Sequence, residues 1–306
     1  MGHMGRVLSY LRLVRAPNLF TALADIGAGF LIVQAQFSGT LSWWPLLPLS
    51  IASACLYLSG MAFNDVADHE EDARVRPGRP LPAGAVSLRG AAGCGAGLMA
   101  LGLAAAALFG TVSLCLALFL AASILLYDFG AKRVPVAGPL VLGFCRFFNL
   151  QLGMSAQLDF AANLANPAFA ASLHAPALAA GAYAAGLTVW SAQEEAGRRG
   201  RSIYAGWILV GGALALAGWT APHLWVWLPL GLLGALLLQR TIGLYRGGTP
   251  EAARGLVKTG VWGICLLDAG LILGHAGLDA WPFALTVALL VLPTAFLARL
   301  LAQWEA

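Results

Sequence analysis

An acidic cluster occupies residues 64–72, where a long apolar stretch of the chain ends. Its aspartates, Asp65, Asp68 and Asp72, are spaced i, i+3 and i+7, so on a helix they lie along one face. Three neighbouring carboxylates repel one another unless a positive group lies between them. Hard divalent cations such as Mg²⁺ bind oxygen ligands and share them with a substrate's phosphates. Five of the chain's 14 acidic residues fall between 65 and 72, which favours a metal site over a solvated helix end.

Basic residues that suit the same chemistry follow this cluster and recur farther along the chain. Arg79 begins a turn-forming segment, residues 79–84, shortly after the aspartates. Lys132 and Arg133 close the fourth apolar stretch, just after Tyr127. A pair of this kind is often a topology anchor at the lipid headgroups. On the same face as the carboxylates, it would instead bind a substrate's phosphates through charge-assisted hydrogen bonds.

The composition places these residues in a membrane protein. Of the 306 residues, 59% are hydrophobic and 10% are charged, and the mean hydropathy is +0.78. Soluble domains carry about a quarter charged residues. The net charge of +4 is small and dispersed, and no nucleic-acid partner is expected. The five cysteines are scattered through apolar stretches without metal-ligand spacing, so neither a disulfide framework nor a zinc site is expected.

Ten apolar stretches are candidates for spanning helices, which need about 20 mostly apolar residues each. They are residues 17–36, 43–63, 88–109, 111–128, 135–155, 174–194, 203–220, 223–242, 256–276 and 281–302. Lys and Arg concentrate at the N-terminus and after the even-numbered stretches, whereas the other connections contain none. By the positive-inside rule, both termini and the polar loops 64–87 and 193–203 face the cytoplasm. The sequence therefore predicts an all-α, polytopic membrane bundle with a cytoplasmic cap of polar loops, in a single domain over residues 1–306. Residues 1–3 are interpreted as a cloning scar.

Several polar residues lie inside the predicted spans, where charge is costly and usually faces a cavity or a partner. Arg146 and Asn149 are one turn apart in the fifth span and share a face. Asn18 and Asp25 lie in the first span, and Asp268, in the ninth, is assigned to packing. One interpretation is a structural Arg–Asp pair between helices. The other places Arg146 and Asn149 in a substrate cavity beneath the metal site, with Asp25 binding or activating an acceptor hydroxyl.

The pattern Asn64-Asp65-x-x-Asp68-x-x-x-Asp72, followed by Arg-Pro-Leu-Pro-Ala-Gly, resembles the first aspartate-rich motif of the UbiA superfamily of intramembrane prenyltransferases. In that family the motif lies at the cytoplasmic end of the second transmembrane helix and holds a prenyl diphosphate through Mg²⁺. The family usually has nine transmembrane helices, so nine to ten are expected here. The resemblance also implies a place near the acceptor pocket for Asn18. It assigns diphosphate binding to Asn64, Arg79, Tyr127, Lys132 and Arg133.

A second acidic cluster, Glu194 and Glu195, follows Ser191 at the end of the sixth span. By position it resembles the family's second aspartate-rich motif, which ligates another Mg²⁺, but the outer aspartates of that motif are missing. Three interpretations stay open. The glutamates bind a metal, Glu194 serves as a base or an acceptor-binding group, or the segment is a solvated helix end. Ser191 is assigned to the substrate cavity. The altered motif is also similar to the EboC-like branch of the superfamily, for which a polar, non-aromatic hydroxyl acceptor is expected.

The predicted activity is Mg²⁺-dependent transfer of a prenyl group from an allylic prenyl diphosphate to a small hydroxylated or aromatic acceptor within the membrane. The residues predicted to carry catalysis and to bind metal are Asp65, Asp68, Asp72, Glu194 and Glu195. One alternative is a UbiA-type terpene cyclase, which needs no separate acceptor. Another is a transporter, which would need charges near the bilayer midplane in both halves of the chain. The Ala-, Gly- and Arg-rich composition is consistent with a GC-rich bacterial genome, and location in a bacterial inner membrane is expected.

Overall fold

The computed structural model describes residues 3–36, 42–156, 167–192 and 201–303, and these consist of helices joined by turns. In chain order the α-helices are α1 (His3–Leu13), α2 (Leu19–Gln36), α3 (Leu46–Ala67), α4 (His69–Val75), α5 (Leu88–Phe109), α6 (Thr111–Phe129), α7 (Ala137–Met154), α8 (Pro167–Ser191), α9 (Arg201–Thr220), α10 (Trp227–Gly247), α11 (Pro250–Ala276), α12 (Trp281–Leu289) and α13 (Val291–Gln303). Short 3₁₀ helices occur at Ala16–Asn18, Ala131–Arg133, Leu224–Val226 and Leu278–Ala280. Each predicted apolar stretch overlaps a helix, which confirms the all-α prediction.

Eight segments in the described ranges are long and apolar enough to cross a membrane. They are Ala16–Gln36, Leu46–Ala67, Leu88–Phe109, Thr111–Phe129, Ser202–Thr220, Leu224–Gly247, Pro250–Ala276 and Leu278–Leu300. The last is divided at Leu290, because Pro293 has no N–H to donate to the carbonyl of Leu289. Helices α7 and α8 fall outside this set. In α7, the polar residues Arg146, Asn149 and Gln151 lower the hydropathy of an 18-residue helix.

Helix α7 lies between α2 and α8 in close backbone contact with both. A Cβ atom on Gly29 of α2 would lie 2.2 Å from the carbonyl oxygen of Leu150 in α7. On the other side, a Cβ on Gly143 would lie 2.8 Å from the carbonyl oxygen of Gly181 in α8. Only glycine permits such an approach, because any side chain would overlap the facing backbone. These contacts fix α7 between its two neighbours.

The acidic motif lies across the junction of α3 and α4. Asp65 is in the last turn of α3, Asp68 separates the two helices and Asp72 lies inside α4. The N–H of Asp68 bonds the carbonyl oxygen of Asn64 at 3.0 Å, and the N–H of Asp72 bonds that of Asp68 at 2.8 Å. The chain thus keeps a helical path through the junction. Helix α4 ends at Val75, shortly before Pro77, as expected ahead of a proline.

The segment after α4 is an anchored turn. Two backbone hydrogen bonds stabilise this turn. The N–H of Ala83 donates to the carbonyl of Arg79, and the N–H of Gly84 donates to the carbonyl of Leu81. Gly84 has φ +70°, a left-handed conformation that favours glycine. Leu81 and Val86 are buried in a small apolar cluster with residues of α1, α3 and α5. The predicted turn is confirmed, and its burial fixes the backbone that carries Arg79.

Candidate active site

A cavity of about 750 Å³ lies where α2, α7 and α11 begin and α3, α6 and α8 end. Ten of the residues predicted for the site line it, namely Asn18, Asn64, Asp68, Arg79, Tyr127, Lys132, Arg133, Arg146, Asn149 and Ser191. Apolar side chains from α6, α7, α8 and α11 form another part of the wall, including Leu120, Ile124, Leu142, Leu187, Val257 and Ile264. The cavity therefore joins a charged rim to an apolar interior.

Each of the three motif aspartates is bound to a basic side chain, and two of them share one arginine. Arg79 donates hydrogen bonds to both Asp65, at 3.5 Å, and Asp72. Arg15 donates to Asp65 at 3.1 Å. Asp65 and Asp72 are almost fully buried, at 3% and 2% exposure. Their shared partner follows from the spacing, because residues i and i+7 lie on one face, whereas Asp68 reaches a different cation.

Lys132 is the cation that binds Asp68, with Nζ 2.6 Å from Oδ1. Its side chain is 12% exposed and that of Asp68 is 19% exposed. The neighbouring Arg133 donates to the carbonyl oxygen of Ala67 at 3.2 Å, at the end of α3. The Lys-Arg pair therefore lies against the acidic motif, as the diphosphate-binding interpretation requires. A role as a topology anchor is compatible with the same position.

The described residues contain no group of three or more His, Cys, Asp or Glu side chains arranged to hold a metal ion. The motif carboxylates are paired with arginines and a lysine. The donors present are carboxylate and amide oxygens, which suit Mg²⁺. This ion usually binds one or two protein carboxylates together with substrate phosphates, so an all-protein cage is not needed. The residues fit Mg²⁺ in chemistry, and the metal assignment stays a prediction.

Asn64, the first residue of the motif, connects the two acidic helix ends. Its Oδ1 accepts a hydrogen bond from Arg15 at 3.3 Å. Its Nδ2 donates to Oδ1 of Asp128, the penultimate residue of α6, at 3.0 Å. The main-chain oxygen of Asn64 lies 3.5 Å from Nζ of Lys132. The amide therefore has a defined orientation, with its oxygen toward a cation and its nitrogen toward a carboxylate.

A second polar network lies deeper, where Arg146 forms part of the cavity wall. Arg146 donates to Oδ2 of Asp25 at 2.8 Å and to both the carbonyl and the hydroxyl of Thr21, at 2.9 and 2.7 Å. Asn149 also donates to Oδ2 of Asp25 at 2.8 Å and accepts from Ser53 at 2.7 Å. The interhelical Arg–Asp pair of the first interpretation exists. Arg146 and Asn149 also line the cavity, and their role toward a substrate stays a prediction.

The prediction that Asp25 lies in the substrate cavity is wrong. Asp25 is 0% exposed and does not line the cavity, because Arg146 and Asn149 lie between Asp25 and the cavity. Asp268 of α11, assigned to packing, is also 0% exposed and lies beside Asp25. Neither oxygen of Asp268 receives a hydrogen bond from any donor in the described ranges. Asp25 can therefore act on a ligand only by positioning Arg146 and Asn149.

Sequence reasoning missed four charged residues of the cavity wall, Arg15, Glu71, Arg76 and Asp128. Arg15 has φ +47°, and no other described residue except glycine has a positive φ. A strained conformation of this kind is typical of functional sites. Asp128 directly follows the predicted Tyr127, and that adjacency was the available signal. The predicted pair Glu194 and Glu195 lies outside the described residues.

A comparison with known protein families identifies the family of the chain. A model of the UbiA prenyltransferase family matches residues 26–260, which is most of the chain. The chain belongs to the UbiA prenyltransferase family. Solved structures agree on the fold of this UbiA-family protein. A UbiA homolog from Aeropyrum pernix K1 covers 85% of this chain and 98% of its own, with a TM-score of 0.63 at 22% identity. A UbiA homolog from Archaeoglobus fulgidus bound to GPP and Mg²⁺ covers 92% and 99%, with a TM-score of 0.60 at 16% identity.

Curated relatives of this UbiA-family protein carry a more specific name. A digeranylgeranylglyceryl phosphate synthase from Methanoculleus marisnigri is 37% identical over 140 residues, 45% of this chain and 48% of the relative. One from Metallosphaera sedula is 34% identical over 151 residues, 47% and 50% of the two chains. The chain thus spans about half the length of the curated relatives it matches. The EboC-like assignment receives no support from these relatives.

Proposed function

We propose that this protein catalyses Mg²⁺-dependent transfer of a prenyl group from an allylic prenyl diphosphate to an alcohol acceptor inside the membrane. The observation that carries the proposal is the cavity itself, whose charged rim continues into a wall of aliphatic side chains. A diphosphate suits the rim and a hydrocarbon chain suits the interior. Family membership supports the same chemistry.

The diphosphate is held by the basic residues of the rim. Arg15, Arg79 and Lys132 are each paired with a motif aspartate, so the rim holds its cations in place before a ligand binds. Diphosphate oxygens then compete for the same donors and form charge-assisted hydrogen bonds with them. Mg²⁺, when bound, adds positive charge that neutralises the departing diphosphate.

In the transfer step, the bond between the allylic carbon and the diphosphate oxygen breaks, and the acceptor oxygen forms a new bond to that carbon. The acceptor hydroxyl loses its proton, and the released diphosphate is a base that can take it up. Lys132 and Arg133 stabilise the charge that develops on the leaving group, because they are fixed donors at the rim. The aliphatic wall, with Leu120 and Ile124 among its members, keeps water from the allylic carbon.

The acceptor is proposed to be a glyceryl phosphate lipid, the class named in the curated relatives. Asn149, Ser53 and Tyr57 give the deep part of the cavity polar groups suited to a hydroxyl. These residues also suit the other hydroxylated acceptors predicted from the sequence. A terpene cyclase would need no such partner, and a transporter would move its solute without chemical change.

The helix ends around the cavity support the predicted orientation. The N-terminal parts of α2, α7 and α11 and the C-terminal parts of α3, α6 and α8 surround the cavity. This arrangement is expected when α7 and α8 also cross the membrane. Together with the eight apolar segments, they make ten crossings, with the cavity rim on the basic, cytoplasmic side. The relatives named above are archaeal, so a bacterial inner membrane stays a prediction.

The test is an assay of purified protein in lipid nanodiscs with radiolabelled prenyl diphosphates of several lengths and a glyceryl phosphate lipid. A labelled lipid product that needs both Mg²⁺ and the acceptor is expected from the wild type. Asp68→Asn should reduce product formation at least 100-fold. The control Asp279→Asn changes an exposed acid in the 3₁₀ helix after α11, at the other end of the bundle, and should leave it unchanged.

Other outcomes separate the alternatives. A labelled hydrocarbon formed without acceptor would support a cyclase and contradict prenyl transfer. Accumulation of unchanged solute in sealed vesicles, without any labelled product, would support a transporter. Prenyl transfer to an aromatic acid but not to the glyceryl phosphate lipid would overturn only the acceptor assignment.

A further inference from the structure

We propose that Asp128, with Asp68, supplies the carboxylate oxygens for a divalent cation on the α6 side of the cavity. This inference rests on the proposed function and assigns a role to a residue outside both acidic motifs. It also identifies which motif aspartate faces the ligand, since Asp65 and Asp72 are buried against arginines.

The position of Asp128 carries the proposal. Asp128 lies at the end of α6, is 3% exposed and forms part of the cavity wall. Its Oδ1 is occupied by the hydrogen bond from Asn64. Its Oδ2 is buried without a hydrogen-bond partner in the described part of the chain. A buried acceptor of this kind is costly unless a positive group satisfies it.

The cations that act on Asp128 are shared with other carboxylates. Lys132 is paired with Asp68 at 2.6 Å, and its charge also acts on Asp128. Arg15 acts on Asp128 as well, but it is paired with Asp65 at 3.1 Å. Asp68 and Asp128 repel each other electrostatically. Both cations are thus engaged by motif aspartates, which leaves the second oxygen of Asp128 for a further cation. A divalent cation would satisfy both acids and release Lys132 toward a phosphate.

The donor set suits Mg²⁺ better than a larger cluster would. Mg²⁺ commonly binds one or two carboxylates and takes its other ligands from waters and substrate phosphates. Asp68 and Asp128 provide two carboxylates at the rim where a diphosphate would bind. Asp268 also has unsatisfied oxygens, but it is not among the residues of the cavity wall and no ligand reaches it there.

The experiment measures binding of Mn²⁺ to the purified full chain in nanodiscs by electron paramagnetic resonance, with inorganic diphosphate as the second probe. Wild type should bind Mn²⁺ in the presence of diphosphate. Asp128→Asn should weaken that binding at least tenfold, and the control Asp279→Asn should not change it. Equal binding by wild type and Asp128→Asn would overturn the inference while leaving the proposed function intact. Absence of binding by wild type would contradict the proposed function itself.

A second variant separates metal contact from a structural role. In Asp128→Cys the new thiolate should favour the softer Cd²⁺, so the ratio of Cd²⁺ to Mn²⁺ affinity should rise at least tenfold over wild type. Cys145 is another thiol in the cavity wall that can bind Cd²⁺. It is present in both proteins, so the comparison with wild type corrects for it. If Asp128 only orients Asn64, Asn64→Ala should weaken Mn²⁺ binding as much as Asp128→Asn and the ratio should not move. That result would overturn the inference.

Discussion

Lys132 forms an ion pair with Asp68 across the cavity rim, with the ammonium nitrogen 2.6 Å from the carboxylate oxygen. The two residues come from different parts of the chain, the turn before α7 and the junction of α3 and α4. The two residues suit ligands of opposite charge, because the lysine can bind a phosphate and the aspartate can bind a metal ion. Their pairing places both charges at the rim of the cavity, where the proposed diphosphate and metal ion would each bind one of them.

Replacement of Lys132 by methionine should therefore weaken prenyl diphosphate binding. A hydrogen bond to a charged group contributes about 1.5–3 kcal/mol, so KM for the diphosphate should rise between about tenfold and 100-fold in a steady-state assay. Lys258→Met is the matched control, because Lys258 is exposed and lies over the ring of Trp262. An equal rise in both variants would contradict a specific role for Lys132.

Replacement of Arg79 by methionine should destabilise the protein. Arg79 binds both Asp65 and Asp72, and removing one partner of a buried ion pair costs about 3–5 kcal/mol. The midpoint of thermal unfolding in detergent should fall clearly, whereas Arg89→Met, at an exposed position, should have little effect. Adding Asp72→Asn to Arg79→Met should recover much of the loss. No recovery would mean that Arg79 acts through packing.

The predictions that succeeded depend on local spacing. Helices follow from apolar stretches of sufficient length, and the i, i+7 relationship of Asp65 and Asp72 brings both to Arg79. The turn after α4 follows from its prolines and Gly84. These features need no knowledge of which helices are neighbours.

The features that sequence reasoning missed or misplaced depend on contacts between distant segments. Arg15 looks like a topology residue until the fold brings it to Asp65. Asp25 looks accessible until α7 places Arg146 and Asn149 in front of it. In the sequence, Asp128 is a single acidic residue at the end of an apolar stretch. In the structure, its hydrogen bond with Asn64 connects it to the acidic motif. Neighbouring helices, which sequence spacing does not define, decide these roles.

The Arg146–Asp25 pair should show strong coupling in a double-mutant cycle. Asp25→Leu alone leaves the guanidinium of Arg146 buried without its counter-charge, so a loss of about 3–5 kcal/mol is expected. Asp25→Leu combined with Arg146→Met removes both charges and should be closer to wild type in unfolding free energy. Additive effects of the two changes would show that the pair does not interact.

Gly143→Ala should reduce stability although alanine favours helices. Its Cβ would lie 2.8 Å from the carbonyl oxygen of Gly181, and overpacking of this kind costs about 1–3 kcal/mol. Gly93→Ala is the control, because no atom lies within 4 Å of the added Cβ. That change should stabilise α5 by about 0.5–1 kcal/mol. Thermal unfolding of the two variants should therefore shift in opposite directions.

The glycine contacts of α7 have a consequence for substrate size. Backbone in direct contact on both sides leaves α7 no room to retreat, so the wall that carries Arg146 and Asn149 keeps its shape when a hydrocarbon chain enters. Longer or shorter chains must be accommodated by the facing wall, which includes Ile124 of α6 and Val257 and Val261 of α11. These aliphatic side chains should therefore determine the preferred isoprenoid length, and substitutions that change their volume should alter it.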